Sequence, residues 1–135
     1  MFIAFELLDG SQKTIPHYSL LRIRPTVFNY EPDNAVMIQF DNRQNFSREP
    51  LDDLVERFHR QAPMARLTML NGAPVWVSVH RVLDVNPPNT VIHNPRAKAI
   101  VNFRTDINGS IPLDGVFSSV LETVGETEAI LNSAL

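Results

Sequence analysis

The 135 residues, 44% hydrophobic and 20% charged, suit one ordinary globular domain or two very small ones. A net charge of −3 argues against general nucleic-acid binding, and the lack of any cysteine excludes disulfides, thiolate chemistry and cysteine-based zinc sites. No apolar run nears the roughly 18 residues that span a membrane. Met1–Glu6 has no basic stretch, unlike a secretory signal, so a cytoplasmic setting is expected.

Residues 2–8 read as a strand. Asp9-Gly10 then predicts a type I′ hairpin with 13–16, closed by Pro16. A third strand, 20–24, stops at Pro25. The loop 25–33 carries Phe28 and Tyr30, with short strand character at 26–30, and leads into a strand at 34–40. A helix follows. Ser47 or Glu49 is the expected cap, Pro50 fits the first turn, and Asp52 and Asp53 complement the dipole. Leu51, Leu54, Val55 and Phe58 fall at i, i+3, i+4 and i+7, one apolar face. Residues 60–65 make a short joint.

Beyond the joint the order recurs. Asn71-Gly72 predicts a hairpin of 65–70 with 74–79, in which Val75, Val77 and Val79 alternate with Trp76, Ser78 and His80. A strand at 81–86 stops at proline. The loop 87–96, with short strand character at 89–93, leads into a strand at 97–104. Ser110 and Pro112 then predict a second helix, with Leu113, Val116, Phe117, Val120, Leu121 and Val124 as its stripe. Gly125 is expected to break it, leaving a short turn at 126–134.

Identities support the recurrence. Leu8, Gly10 and Pro25 reappear as Leu70, Gly72 and Pro87, an offset of 62, and so do Pro50-Leu51-Asp52 as Pro112-Leu113-Asp114. Pro32 and Phe40 match Pro95 and Phe103 at an offset of 63, which needs one inserted residue. The expected fold is α+β: two tandem copies, 1–62 and 63–135, each an antiparallel sheet of three to five strands followed by one amphipathic helix. Neither half has much core alone, so they are expected to pack as one pseudo-symmetric unit.

The second half opens a resemblance. Leu67-Thr68-Met69-Leu70-Asn71-Gly72, Val75-Trp76-Val77, Val82-Leu83-Asp84-Val85 and Pro88-Asn89-Thr90-Val91-Ile92 resemble the flagellar FlbD / swarming-motility SwrD family of small β-rich modules. That family has an L-T-x-L-N-G turn, a β-rich middle, a P-D-T-x-I segment and a C-terminal helix. The likeness covers about 60 residues and implies a module shape of the kind found in small bacterial and phage proteins. The family is a single module, and the first half here lacks the Pro-Asp-Thr segment.

No pattern points to catalysis. His17, His59, His80 and His93 lack metal-ligand spacing, and no nucleophile elbow, phosphate loop or dinucleotide fingerprint is present. Neither a cofactor nor a metal is expected. Arg22, Arg24, Arg81 and Arg96, with Lys98 and Arg104, are the candidates for an anion, since guanidinium forks suit phosphate and carboxylate. Arg22, Arg24 and Arg81 are expected close together, and His80 and His93 could face the same site. Phe28, Tyr30 and Trp76 are candidate partner anchors, Trp76 either packing between the halves or standing exposed. Ile130, Leu131 and Leu135 supply apolar contacts near the end of the chain. The expected function is a non-catalytic interaction or assembly module, self-associating or binding a protein partner. The alternative is a binder of a small phosphate-bearing or nucleotide-like ligand, with an enzyme third.

Overall fold

Both turn signals make hairpins in the computed structural model, which describes residues 1–40, 43–104 and 116–135. Strand β1 (Phe2–Glu6) pairs antiparallel with β2 (Gln12–Pro16). The later hairpin joins Met64–Thr68 to Pro74–Ser78. The registers match at an offset of 62: Phe2 faces Pro16 and Glu6 faces Gln12, as Met64 faces Ser78 and Thr68 faces Pro74. The turns are not the two-residue type I′ expected. Leu7 N–H donates to Ser11 O (2.8 Å) and Gly10 N–H to Leu7 O (3.0 Å), with the same bonds at Met69, Ala73 and Gly72. Within these two turns only the glycine takes positive φ, +85° and +88°, so each loop has three residues ending in a left-handed glycine. Asp9 and Asn71 use their side-chain oxygens to accept from the N–H of Ser11 and Ala73 (2.9 and 3.0 Å).

A single 3-10 turn follows each hairpin, at His17–Ser19 and Val79–Arg81. In the first half a meander comes next: β3 (Leu20–Pro25), β4 (Val36–Phe40) and β5 (Arg43–Ser47). Then α1 (Leu51–His59) buries Leu54, Val55 and Phe58, the face its spacing predicts. In the second half the hairpin strands are β6 and β7, and the meander is β8 (Val82–Asn86), β9 (Ala99–Phe103) and β10 (Phe117–Val120), before α2 (Val124–Ser133). Leu20 faces Phe40 and Ile23 faces Ile38; Val82 faces Phe103 and Val85 faces Val101. The pairing is irregular at one place in both, after Leu20 and after Val82.

Several expectations need correction. Residues 26–30 and 89–93 are turns, not strands. The second helix was expected to run to Val124, but Phe117–Val120 is a strand on the edge of β9. Gly125 begins the helix instead of breaking it, and 126–134 is mostly helix, not a short turn. Residues 112–115 lie outside the described residues. Thr123 caps α2: its hydroxyl accepts from Glu126 N–H (3.2 Å) while its own N–H donates to Glu126 (2.9 Å). Neither Ser47 nor Glu49 caps α1, which starts on Pro50 without a side-chain cap.

Glu49 has another task. Its carboxylate accepts from Glu6 N–H at 2.8 Å and from both amino groups of Arg57 (3.1 and 2.7 Å). Glu122 accepts from the N–H and hydroxyl of Thr68 at 2.9 and 2.7 Å. Thr68 is 62 beyond Glu6, but Glu122 is 73 beyond Glu49, because the β9–β10 connection is longer than β4–β5. Each carboxylate ties the last residue of a first strand to the segment entering the helix. Glu49→Ala is expected to cost about 1–3 kcal/mol, read as a shifted urea midpoint, because it strips one charge-assisted acceptor from two donors.

Among the described residues three sheets result. The largest has the order β5-β4-β3-β7-β6, so β3 of the first half joins β7 of the second, with Arg22 facing Val77 and Ile23 facing Trp76. The others are β10-β9-β8 and β1-β2. There are two cores. The first gathers Phe5, Ile15, Ile38, Phe40, Leu54 and Phe58; the second gathers Leu67, Val75, Val77, Val101, Phe103 and Val120. Each takes a buried side chain from the other half, and Trp76 of the second half also packs against the first core. Met64 of β6 sits in the first core and Leu21 of β3 in the second. No helix among the described residues is long and apolar enough to cross a membrane.

Candidate functional site

The β3–β7 junction carries a cavity of about 450 Å³. Arg22 and Arg24 of β3 and Phe28 of the following loop wall it on one side. Asn71, Asn94 and β10 wall it on the other. β3 brings both arginines to this place because its middle residues lie between β4 and β7.

The two arginines differ in availability. Arg24 is buried and forms a bidentate pair with Glu31, 2.9 and 2.7 Å, and its guanidinium lies 5.2 Å from the Phe28 ring centre. Glu31 also accepts from the N–H of Val27 and Phe28 (3.0 and 3.2 Å). Burial alone would raise the Glu31 carboxyl; the bonds from Arg24, Val27 and Phe28 outweigh it and hold it below the usual carboxylate range. Arg24 is therefore a strut of the loop. Arg22 bonds no carboxylate among the described residues. Its Nε donates to Gln39 (2.6 Å), its Nη1 to Phe117 O and Ser118 Oγ (2.8 and 2.6 Å), and it lies over the Phe103 ring at 5.8 Å. Burial, and after it the charge of Arg24, lowers its pKa to about 10, so it stays cationic at neutral pH.

The other expected ligand groups do not converge here. Arg81 does not line the cavity; its Nη2 donates to Arg104 O. His80 lines a separate shallow depression with Pro63 and Leu135. His93 packs edge-on to Phe117 at 5.6 Å and accepts from Asn89 N–H (2.7 Å), next to the cavity wall. Arg96 is exposed.

Of the expected anchors, Phe28 and Tyr30 stack with their planes 4° apart, and Tyr30 stands 77% exposed. Trp76 is half-buried against the first core, opposite to the valines beside it. Leu131 is buried in the second core and Ile130 packs against it, so α2 uses both in the fold. Phe2, Leu83, Val91 and Ile92 are exposed apolar groups that sequence reading missed. The offset of 62 held the signal for two of them, since it sets Phe2 against Met64 and Leu83 against Leu21.

No family model, curated protein or solved structure matches the chain.

Proposed function

We propose that the chain is a non-catalytic assembly module, a tandem duplication of one β-sheet-plus-helix unit that associates with itself. The carrying observation is the pair of exposed apolar ends, Phe2 on the first hairpin and Leu83 with Val91 and Ile92 on the last meander. Exposed large apolar side chains at both ends of the chain's fold are candidate interaction surfaces. The duplication draws support from the shared element order, registers and glycine turns. The module shape shared with the FlbD/SwrD-like pattern agrees with a binding role. Light scattering across a dilution series tests it. A mass above the monomer that falls on dilution is expected, and a monomer at every concentration rejects self-association.

A second reading is a small anionic ligand at the junction cavity, favoured by the cationic Arg22, which bonds no carboxylate among the described residues, and by Asn71, Asn94 and Ser118 beside it. Inorganic phosphate and a nucleotide panel would then raise the melting temperature by several degrees, and Arg22→Met would remove the shift. No shift from any of them rejects this reading.

A further inference from the structure

We propose that copies of this chain join head to tail: the β1–β2 hairpin of one copy adds to the edge of β8 away from β9 in the next, repeating between copies the β3–β7 junction found inside each chain. The proposal rests on the self-associating reading above and names its contact.

The internal junction supplies the template. β3 has β4 on one edge and β7 on the other, whereas among the described residues β8 pairs only with β9 and β2 only with β1. Inside the chain Arg22 faces Val77 and Ile23 faces Trp76. Moved by the offset of 62, Asp84 faces Ile15 and Val85 faces Thr14 of the next copy. An unpaired strand edge is a template for such addition.

Burial follows the same correspondence. Leu21 crosses into the second core at 0% exposure, while its counterpart Leu83 is 46% exposed. Met64 crosses into the first core at 2%, while its counterpart Phe2 is 69% exposed. The two fully buried side chains that cross between the halves thus have counterparts left uncovered, one at each end; the half-buried Trp76 has the exposed Thr14 as its counterpart. Phe28 and Leu70 line the junction cavity. In the equivalent loop and turn, Val91 is 88% and Leu8 38% exposed, against 47% for Phe28.

Charge fits as well. Arg22 lies over the Phe103 ring inside the junction. Over Phe40, the counterpart of Phe103, sits the Lys13 ammonium at 5.4 Å. Asp84 holds the place of Arg22 on the incoming edge, so an anion would meet a cation already seated. Asp84 accepts from Asn102 at 2.7 Å as Arg22 donates to Gln39, the same pair of positions. The contact is heterologous, with a different surface on each copy, and so builds a ring or a filament.

Phe2→Glu and Leu83→Glu test the contact, with light scattering as the readout and circular dichroism as the check on folding. Both side chains are exposed, so each variant is expected to fold. Each contact needs one intact end of each kind, so each variant alone should be monomeric. Their equimolar mixture should give a two-chain particle and nothing larger, joined through the intact Phe2 of one and the intact Leu83 of the other. Because the chain has no cysteine, Thr14→Cys mixed with Val85→Cys should oxidise to a disulfide-linked heterodimer. Multimers that survive both glutamate variants overturn the head-to-tail contact and leave the assembly reading standing. So does a mixture that stays monomeric while the unmodified chain associates. A monomeric unmodified chain overturns both.

Discussion

Glu31→Gln is expected to lower the unfolding free energy by about 3–5 kcal/mol, because it leaves the buried Arg24 cation without its partner. The side chains of Arg24 and Glu31 are only 4% and 1% exposed, so water cannot replace the lost charge. Urea denaturation at neutral pH measures it, and a loss below about 1 kcal/mol would place the pair in water, where such pairs are worth little. The pH dependence carries the same sign. The folded Glu31 carboxyl lies below its ordinary value, so its contribution is complete above the unfolded pKa of about 4.3 and is lost as pH falls through the folded one. Glu49 is depressed too, by the side-chain bonds from Arg57 with a further one from Glu6 N–H, against the opposing effect of burial. Stability should therefore fall on acidification, and the acid slope should be shallower in Glu31→Gln.

The same pair marks where the halves diverge. Asn86 stands at the place of Arg24, and no carboxylate holds the loop 87–96 among the described residues. Side-chain amides close it instead: Asn89 Oδ1 accepts from Val91 N–H and Asn94 Oδ1 from Arg96 N–H, at 3.0 and 2.9 Å. One loop is pinned against the junction, while the other presents Val91 and Ile92 outward.

Much of the frame was legible. Asp9-Gly10 and Asn71-Gly72 located both hairpins, because a left-handed residue at a turn needs glycine. The spacing of Leu54, Val55 and Phe58 located the buried face of α1. Other elements obeyed forces that local pattern does not show. The segment Arg43–Ser47 lacks a strand's apolar alternation, since among the described residues it is an edge strand paired only with β4. Val116, Phe117, Val120 and Val124 have helical spacing, yet Phe117–Val120 pairs with β9, and tertiary pairing overrides the period. The Pro-Leu-Asp recurrence misled in the same place. It kept the offset at 62 where the folded chain shifts by 73, and so hid the match of Glu49 to Glu122. Thr123-x-x-Glu126 was a readable capping box, obscured once the helix had been placed too early. The cavity depended on β3 meeting β7, a pairing between halves that no local signal specifies.

Leu21→Ala is expected to cost about 2–5 kcal/mol, and Leu83→Ala no more than about 0.5 kcal/mol in dilute protein, although the two leucines hold the same place in their halves. The difference lies in what covers them. Leu21 is sealed in the second core by the β3–β7 junction, so truncation leaves a cavity among Val75, Val77 and Val101. Leu83 sits on a strand with no second partner among the described residues and keeps 46% of its exposure, so truncation opens no closed cavity. Denaturation midpoints of the two variants, taken where light scattering shows monomer, give the comparison directly. An equal loss in both would mean that Leu83 is buried within a single chain and would remove the exposed end on which head-to-tail joining depends. At concentrations where the chain associates, Leu83→Ala should instead shift the monomer–multimer balance toward monomer. The leucine that holds the halves of one chain together and the leucine that holds two chains together would then be one interaction used twice.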